Sequence, residues 1–256
     1  MMGATPQTES LVELAARKQL PRHQYMDRDT VRWIAANRPD LSEITVEPLP
    51  EASQRLLHRA AVPAGWWLES QVTGSIHGIR HGMRTVAIAA LLARDAGMDE
   101  AETGDLVVAA AVHDCRRVHD QDDRGHGARA SSWLAQNADT VWQHFGLTAT
   151  TARTHRAAVA VRLHDVPYSS FSAADEADYA EAEQLCDMVK AADALDRYRL
   201  PKLSWWPDAA HVRLGSFEGF RATVFDLVVR SENAHLEGLG GAEAVEVALR
   251  EKGLLS

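Results

Sequence analysis

The 256-residue sequence is 46% apolar and 25% charged, with a formal net charge of −9 at neutral pH. These proportions describe a globular chain able to bury a sizeable core, and the acidic balance argues against a general nucleic-acid or membrane-surface binder. Two cysteines, Cys115 and Cys186, make no disulfide framework, no apolar run reaches the roughly 18 residues of a membrane span, and the N-terminal stretch lacks a secretory pattern, so a soluble cytoplasmic protein is the expectation.

Residues 1–10 are polar and read as a frayed end. Short helices are expected over 11–19 and 28–37, the second capped by Asp27 or Asp29. Pro48, Pro50, Pro63 and Gly65 interrupt the region around 53–60. From Gly78 to Ala96 the apolar residues Val86, Ala89, Ala90 and Ala93 recur at helical spacing, and Gly97 ends the element. Residues 101–114 form an almost wholly apolar segment, too short for a bilayer and suited to a central buried helix. A polar loop, CRRVHDQDDRGHG, follows it. Further helices are expected over 127–137, 149–164, 176–198, 215–236 and 241–252. Val107-Val108 and the run Val159 to Val161 sit in alanine-rich helical stretches, so strand signals are weak. The reading is all-α: an N-terminal helical extension (1–60), a core (61–202) and C-terminal helices packed on that core (203–256).

Twelve histidines, several close to carboxylates, are the unusual feature. His113 and Asp114 end the apolar helix, where ionisable groups are rare unless something pairs with them. Adjacent helical residues point about 100° apart, yet both reach one site if it lies over the helix end. His77 and His81 are four apart, which predicts one helical face. Asp193 is another acid within an apolar helical stretch, and His126 and His164 stand at helix edges. Imidazole plus carboxylate suits a divalent transition ion.

The segment HGMRTV at 81–86, the His113-Asp114 pair and Asp193 in AADALD resemble the HD superfamily of metal-dependent phosphohydrolases. The loop that follows, with Asp123, His126 and Gly127, resembles a bacterial subgroup. This likeness covers roughly residues 70–202. It implies an HD-domain helical bundle in which His81, His113, Asp114 and Asp193 hold one metal. His126 and His164 would add a second ion, with Asp114 bridging both. One or two ions of Mn, Fe, Zn, Co or Ni are compatible with these donors. The implied activity is hydrolysis of a small phosphorylated metabolite or nucleotide by metal-activated water. The absence of a GYP motif and of a Glu pair after His-Asp argues against cyclic-dinucleotide and alarmone substrates. Two alternatives use the same residues: a mixed-valent diiron oxygenase cleaving a C–C or C–P bond, and a non-catalytic regulatory module.

A phosphate also needs cations. Arg117, Arg116 and Lys190 are candidates to contact it, Asp114, Arg117 and Lys190 are assigned to the chemistry, and His77 to the pocket lining. Asp123 is expected to orient a ligand histidine. Arg84 reads as a structural residue paired with a carboxylate, and Cys115 as no nucleophile. Trp66-Trp67 and Trp205-Trp206 read as core or lid, with the second pair near the pocket. His23, His58, His144, His155, His211 and His235 receive no chemical role. The sequence leaves oligomeric state open.

Overall fold

The computed structural model describes residues 9–42 and 46–256, and no strand occurs among them. The helices in chain order are α1 (Leu11–Ala16), α2 (Arg28–Ala36), α3 (Glu51–Leu57), α4 (Ile79–Asp95), α5 (Glu100–Val112), α6 (His126–Gln136), α7 (Ala138–His144), α8 (Thr151–Leu163), α9 (Ala173–Glu181), α10 (Glu183–Leu195), α11 (Phe217–Leu236) and α12 (Gly241–Glu251). None is long and apolar enough to cross a membrane.

Local chemistry sets many of the starts. Ser10 caps α1 in a capping box with Glu13 and is itself buried, so the order of the chain reaches into the stretch expected to fray; residues 1–8 lie outside the described residues. Asp27 rather than Asp29 caps α2, accepting from the Thr30 N–H. Asp99 and Glu102 form a reciprocal box that satisfies two otherwise orphaned donors of α5. The expected single helix over 176–198 is two helices and a turn. Ala182 leaves helical geometry at φ −139° and ψ 25°. Before that break, α9 is polar and buries only Tyr179, whereas α10 has its apolar face in the core. A 3-10 turn, Asp196–Arg199, closes the sequence.

Helix α5 is the hub. Every residue from Thr103 to Val112 is buried, and it packs against α3, α4, α8 and α10. Fully burying each of its Val and Leu side chains contributes about 1.5–3 kcal/mol. One apolar cluster extends from Leu11 to Leu255, so the flanking helices share the core. Helices α11 and α12 lie against α4, and Glu232 of α11 reaches inward to Arg80 (2.8 Å) and Arg84 (2.7 Å).

This packing gathers several helix ends. His81 lies in the first turn of α4, His126 is the first residue of α6, and His113 and His164 follow the last residues of α5 and α8. Asp193 comes from the side of α10. Gly127 permits the approach of α6 to α8: a Cβ there would stand 2.7 Å from Asp165 Oδ1, 2.8 Å from Val161 O and 3.0 Å from His164 Nδ1. Any side chain would push these two helices apart.

Candidate metal centre

All six expected ligand residues come together. His81, His113 and Asp114 form one group with ligand atoms within 4.8 Å of one another, and Asp114, His126 and His164 form a second. Asp114 divides its oxygens between them. Its Oδ2 lies 3.5 Å from His81 Nε2 and 3.8 Å from His113 Nε2. Its Oδ1 lies 2.9 Å from His126 Nε2 and 3.6 Å from His164 Nε2. Asp193 Oδ1 joins the first group, 3.3 Å from His81 Nε2 and 4.0 Å from His113 Nε2. Within each group the paired Nε2 atoms are 3.0 Å apart (His81–His113) and 2.9 Å apart (His126–His164).

The other ring nitrogens bear on whether this arrangement can hold a cation. His113 Nδ1 donates to Ala110 O at 2.7 Å, His164 Nδ1 to Val161 O at 2.7 Å and His126 Nδ1 to Asp123 O at 2.8 Å. His81 Nδ1 donates to Asp196 Oδ2 at 2.8 Å. With the proton on Nδ1, Nε2 is the atom each ring turns toward the carboxylates, and in the neutral ring it carries a lone pair. Lone pairs and carboxylate oxygens in van der Waals contact repel unless positive charge lies between them. Donor atoms about 2.1 Å from a transition ion stand about 3.0–3.4 Å apart at octahedral or tetrahedral angles, close to the shorter spacings here. The donor set therefore fits a divalent ion.

Electrostatics differ from ligand to ligand. Burial and the Arg199 guanidinium push His81 down, but hydrogen bonds to Asp114, Asp193 and Asp196 outweigh them and raise it to about 9. Burial pulls neighbouring His113 down to about 3. Burial works against ionising Asp114, yet Arg117 and the surrounding imidazoles hold it well below the usual carboxylate range. Asp193 is likewise held well down, burial being overcome by His81.

Several neighbours were not legible as functional. Asp196 backs His81 and is clamped by Arg84, at 2.6 Å from Nε and 3.0 Å from Nη2; it stands three residues after Asp193, a helical spacing that marks it as a same-face partner. The structural role expected for Arg84 holds. Asp120 accepts from His77 Nδ1 at 2.9 Å and from Ser75 Oγ at 2.6 Å. Asp165 stands 3.2 Å from His126 Nδ1.

The remaining candidates divide. His77 lies in the turn before α4 rather than on it, so its nearness to His81 (ring centroids 5.9 Å apart) comes from tertiary packing and not from four-residue spacing. It lines a cavity of about 1170 Å³ together with Asp114, Arg117, His126, His164, Lys190 and Asp193. Lys190 faces that cavity but donates to His164 O (3.2 Å) and Val166 O (2.6 Å) and lies over the Tyr168 ring. Burial lowers it to about 8. Arg117 contacts Asp114 Oδ1 at 3.4 Å and His126 Nε2 at 3.0 Å, and donates to His119 O and Gln121 O. Asp123 does not orient His126 through its carboxylate; only its backbone carbonyl does, while the side chain accepts from Val118 N and Arg129. Arg116, expected to contact phosphate, bonds Trp66 O at 3.0 Å and lies over Trp133, and it does not line that cavity. Trp205, Trp206 and the exposed His211 line the cavity too. Comparison of the chain with protein-family models, curated proteins and solved structures finds no match.

Proposed function

We propose that this chain is a metal-dependent phosphohydrolase of the HD type acting on a small phosphorylated metabolite. The observation that carries the reading is the cluster of Nε2 atoms and carboxylate oxygens 2.9–4.0 Å apart, of which Asp114, His126, His164 and Asp193 line a large cavity while His81 and His113 lie buried behind them. His81, His113, Asp114 and Asp193 would hold one ion; His126, His164 and the other oxygen of Asp114 would hold another. Such ions, when bound, lower the pKa of water and polarise a phosphoryl oxygen.

The chain's own residues do the orienting. Each Nδ1 hydrogen bond fixes a ring so that Nε2 faces the centre. Asp196, kept ionised by Arg84 against the effect of burial, sets the His81 tautomer. His77, with Nδ1 donated to Asp120, offers Nε2 to the cavity as an acceptor for a substrate hydroxyl or water. Lys190 ties down the backbone after His164. The cavity exceeds the roughly 300–1000 Å³ usual for small-molecule sites and leaves room for a metabolite much larger than phosphate. Cytoplasmic residence belongs to the same proposal, in keeping with two buried free cysteines.

Elemental analysis of the purified chain beside His126→Ala and His164→Ala tests the ligand assignment, and phosphate release from a panel of mono- and diesters tests the reaction. The expected result is metal content falling from about two ions to about one in either variant, with metal-dependent phosphate release by the wild type. Metal-loaded protein that turns over no ester overturns the hydrolase reading. An EPR signal from a coupled Fe(II)/Fe(III) pair, without phosphate release, would move the chain to the oxygenase alternative.

A further inference from the structure

Among the described residues, seven buried side-chain nitrogens have no hydrogen-bond partner, in His23, Trp67, Arg80, His119, Arg153, Arg156 and Arg199. Only Arg199 among these lines the large cavity. Native interiors leave few such donors unfilled, and each one that remains needs a reason. Arg199 is 2% exposed. Its Nε donates to Ile76 O at 2.7 Å, which fixes the plane of the guanidinium. Its Nη1 is buried without a hydrogen-bond partner, and Nη2 has only a long ion pair. The nearest to Nη1 is Asp196 Oδ2 at 3.4 Å, but that oxygen already receives His81 Nδ1 and Arg84 Nη2, and Oδ1 receives Arg84 Nε. The nearest to Nη2 is Asp193 Oδ1 at 3.9 Å, the oxygen turned toward His81. Arg199 is thus a buried cation beside the first ligand group, its terminal nitrogens held only by long ion pairs to Asp196 and Asp193 and its Nη1 without a hydrogen bond.

Arg197, two residues earlier, is anchored in the same manner. Its Nε donates to Trp205 O at 2.7 Å, and it is half-buried on the same cavity. Arg117, the cation expected to contact phosphate, spends its donors on Asp114, His126, His119 O and Gln121 O.

We propose that Arg199 is the principal protein contact for the substrate's phosphoryl oxygens at this centre, with Arg197 as a weaker second fork nearer the cavity mouth. A guanidinium held at Nε offers two parallel N–H donors in the geometry that matches phosphate. The assignment rests on the phosphohydrolase reading for its substrate class, while the anion site itself stands on the unpartnered Nη1 of a buried guanidinium that lines the cavity.

Titration calorimetry with inorganic phosphate, on Mn(II)-loaded and on EDTA-treated protein, tests it, with metal content measured in parallel. Arg199→Gln is expected to weaken phosphate binding at least tenfold with metal content unchanged, and Arg199→Lys to recover only part of the loss because a point charge replaces a fork. Arg197→Gln, at a half-buried position that tolerates change, is expected to weaken binding by a few-fold. Should Arg199→Gln fail to fold, a wild-type affinity in Arg199→Lys together with no effect of Arg197→Gln overturns the proposal. So does Arg199→Gln protein binding phosphate as the wild type does, or wild-type protein that binds no phosphate in either state. A wild type that retains no metal but binds phosphate through Arg199 would instead defeat the hydrolase reading and leave the anion site standing.

Discussion

Behind His81 runs a line of buried charges: Asp196, clamped by Arg84, which with Arg80 grips Glu232 of α11. Behind His113, His126 and His164 there are backbone carbonyls, each belonging to the residue three positions earlier, with the Asp165 carboxylate also 3.2 Å from His126 Nδ1. The groups also differ in what faces them. Asp193 completes the first group with a carboxylate, whereas the second meets the Arg117 guanidinium 3.0 Å from His126 Nε2. A cation site backed by fixed carboxylates and filled by another is organised for an ion. One that already holds a guanidinium is partly neutralised by the protein itself, and Arg199 approaches the first group less closely, at 3.9 Å from Asp193 Oδ1 against 3.0 Å between Arg117 and His126 Nε2. The first group should therefore bind its ion more tightly, and the second should be the one that mutation or conditions empty.

The largest effect is expected from the ionic line. Glu232→Gln leaves Arg80 and Arg84, both nearly inaccessible, short of a countercharge. Breaking a buried pair by removing one partner costs about 3–5 kcal/mol, which for a chain of this size lowers the melting temperature by on the order of 10 °C. The pH dependence has a definite sign. Burial opposes ionisation of Glu232, but Arg80 and Arg84 hold its carboxyl below the ordinary 4.5. Its stabilisation is complete above that value and is lost as pH falls through the lower folded-state pKa. The gap between wild type and variant in urea melts is thus full at neutral pH and narrows below about 4.5. A gap that is constant down to strong acid would mean that the charge on Glu232 contributes nothing.

A smaller effect, confined to the second group, is expected from Gly127→Ala. The added methyl meets Asp165 Oδ1 and Val161 O at 2.7–2.8 Å, contacts that only a shift of α6 from α8 relieves. Overpacking of this kind costs about 1–3 kcal/mol. Because His126 begins α6 and His164 ends α8, the shift should separate their Nε2 atoms and lower metal content by about one ion while the His81 group keeps its own. Equal loss from both groups would show that they are not independently held.

Much of this was legible in the sequence, for identifiable reasons. The apolar run of α5 and the ionisable pair at its end follow from composition alone, and the ends of α5 and α8 place His113 and His164 as expected. The pattern could not give the direction of side chains in loops. Arg116 and Arg117 are adjacent in an irregular turn, and only tertiary packing sends one to Trp66 and the other to Asp114. The proximity of His77 and His81 was anticipated for the wrong cause, since the helix begins after His77. Asp196 and Arg199 went unread because their significance lies in what they face across the bundle, although Asp193, Asp196 and Arg199 recur at intervals of three, which would have placed them together.

Arg117→Met sharpens the comparison most directly, with the smallest expected effect. Its guanidinium is near the atoms that a second ion would use, at 3.4 Å from Asp114 Oδ1 and 3.0 Å from His126 Nε2. Removing that charge frees both atoms and strengthens the field of Asp114 toward a divalent cation. Affinity for the second ion should rise about tenfold, equivalent to about 1.4 kcal/mol, while affinity for the first changes little, because Asp193 and Asp196 dominate there. Competitive chelator titration with Mn(II) separates the two. The opposing effect is mechanical, since Arg117 also donates to His119 O and Gln121 O and so braces the loop that delivers His126. If that bracing outweighs the charge, the second affinity falls instead, and the weakness of the second group would have to be assigned to its carbonyl backing rather than to a competing cation.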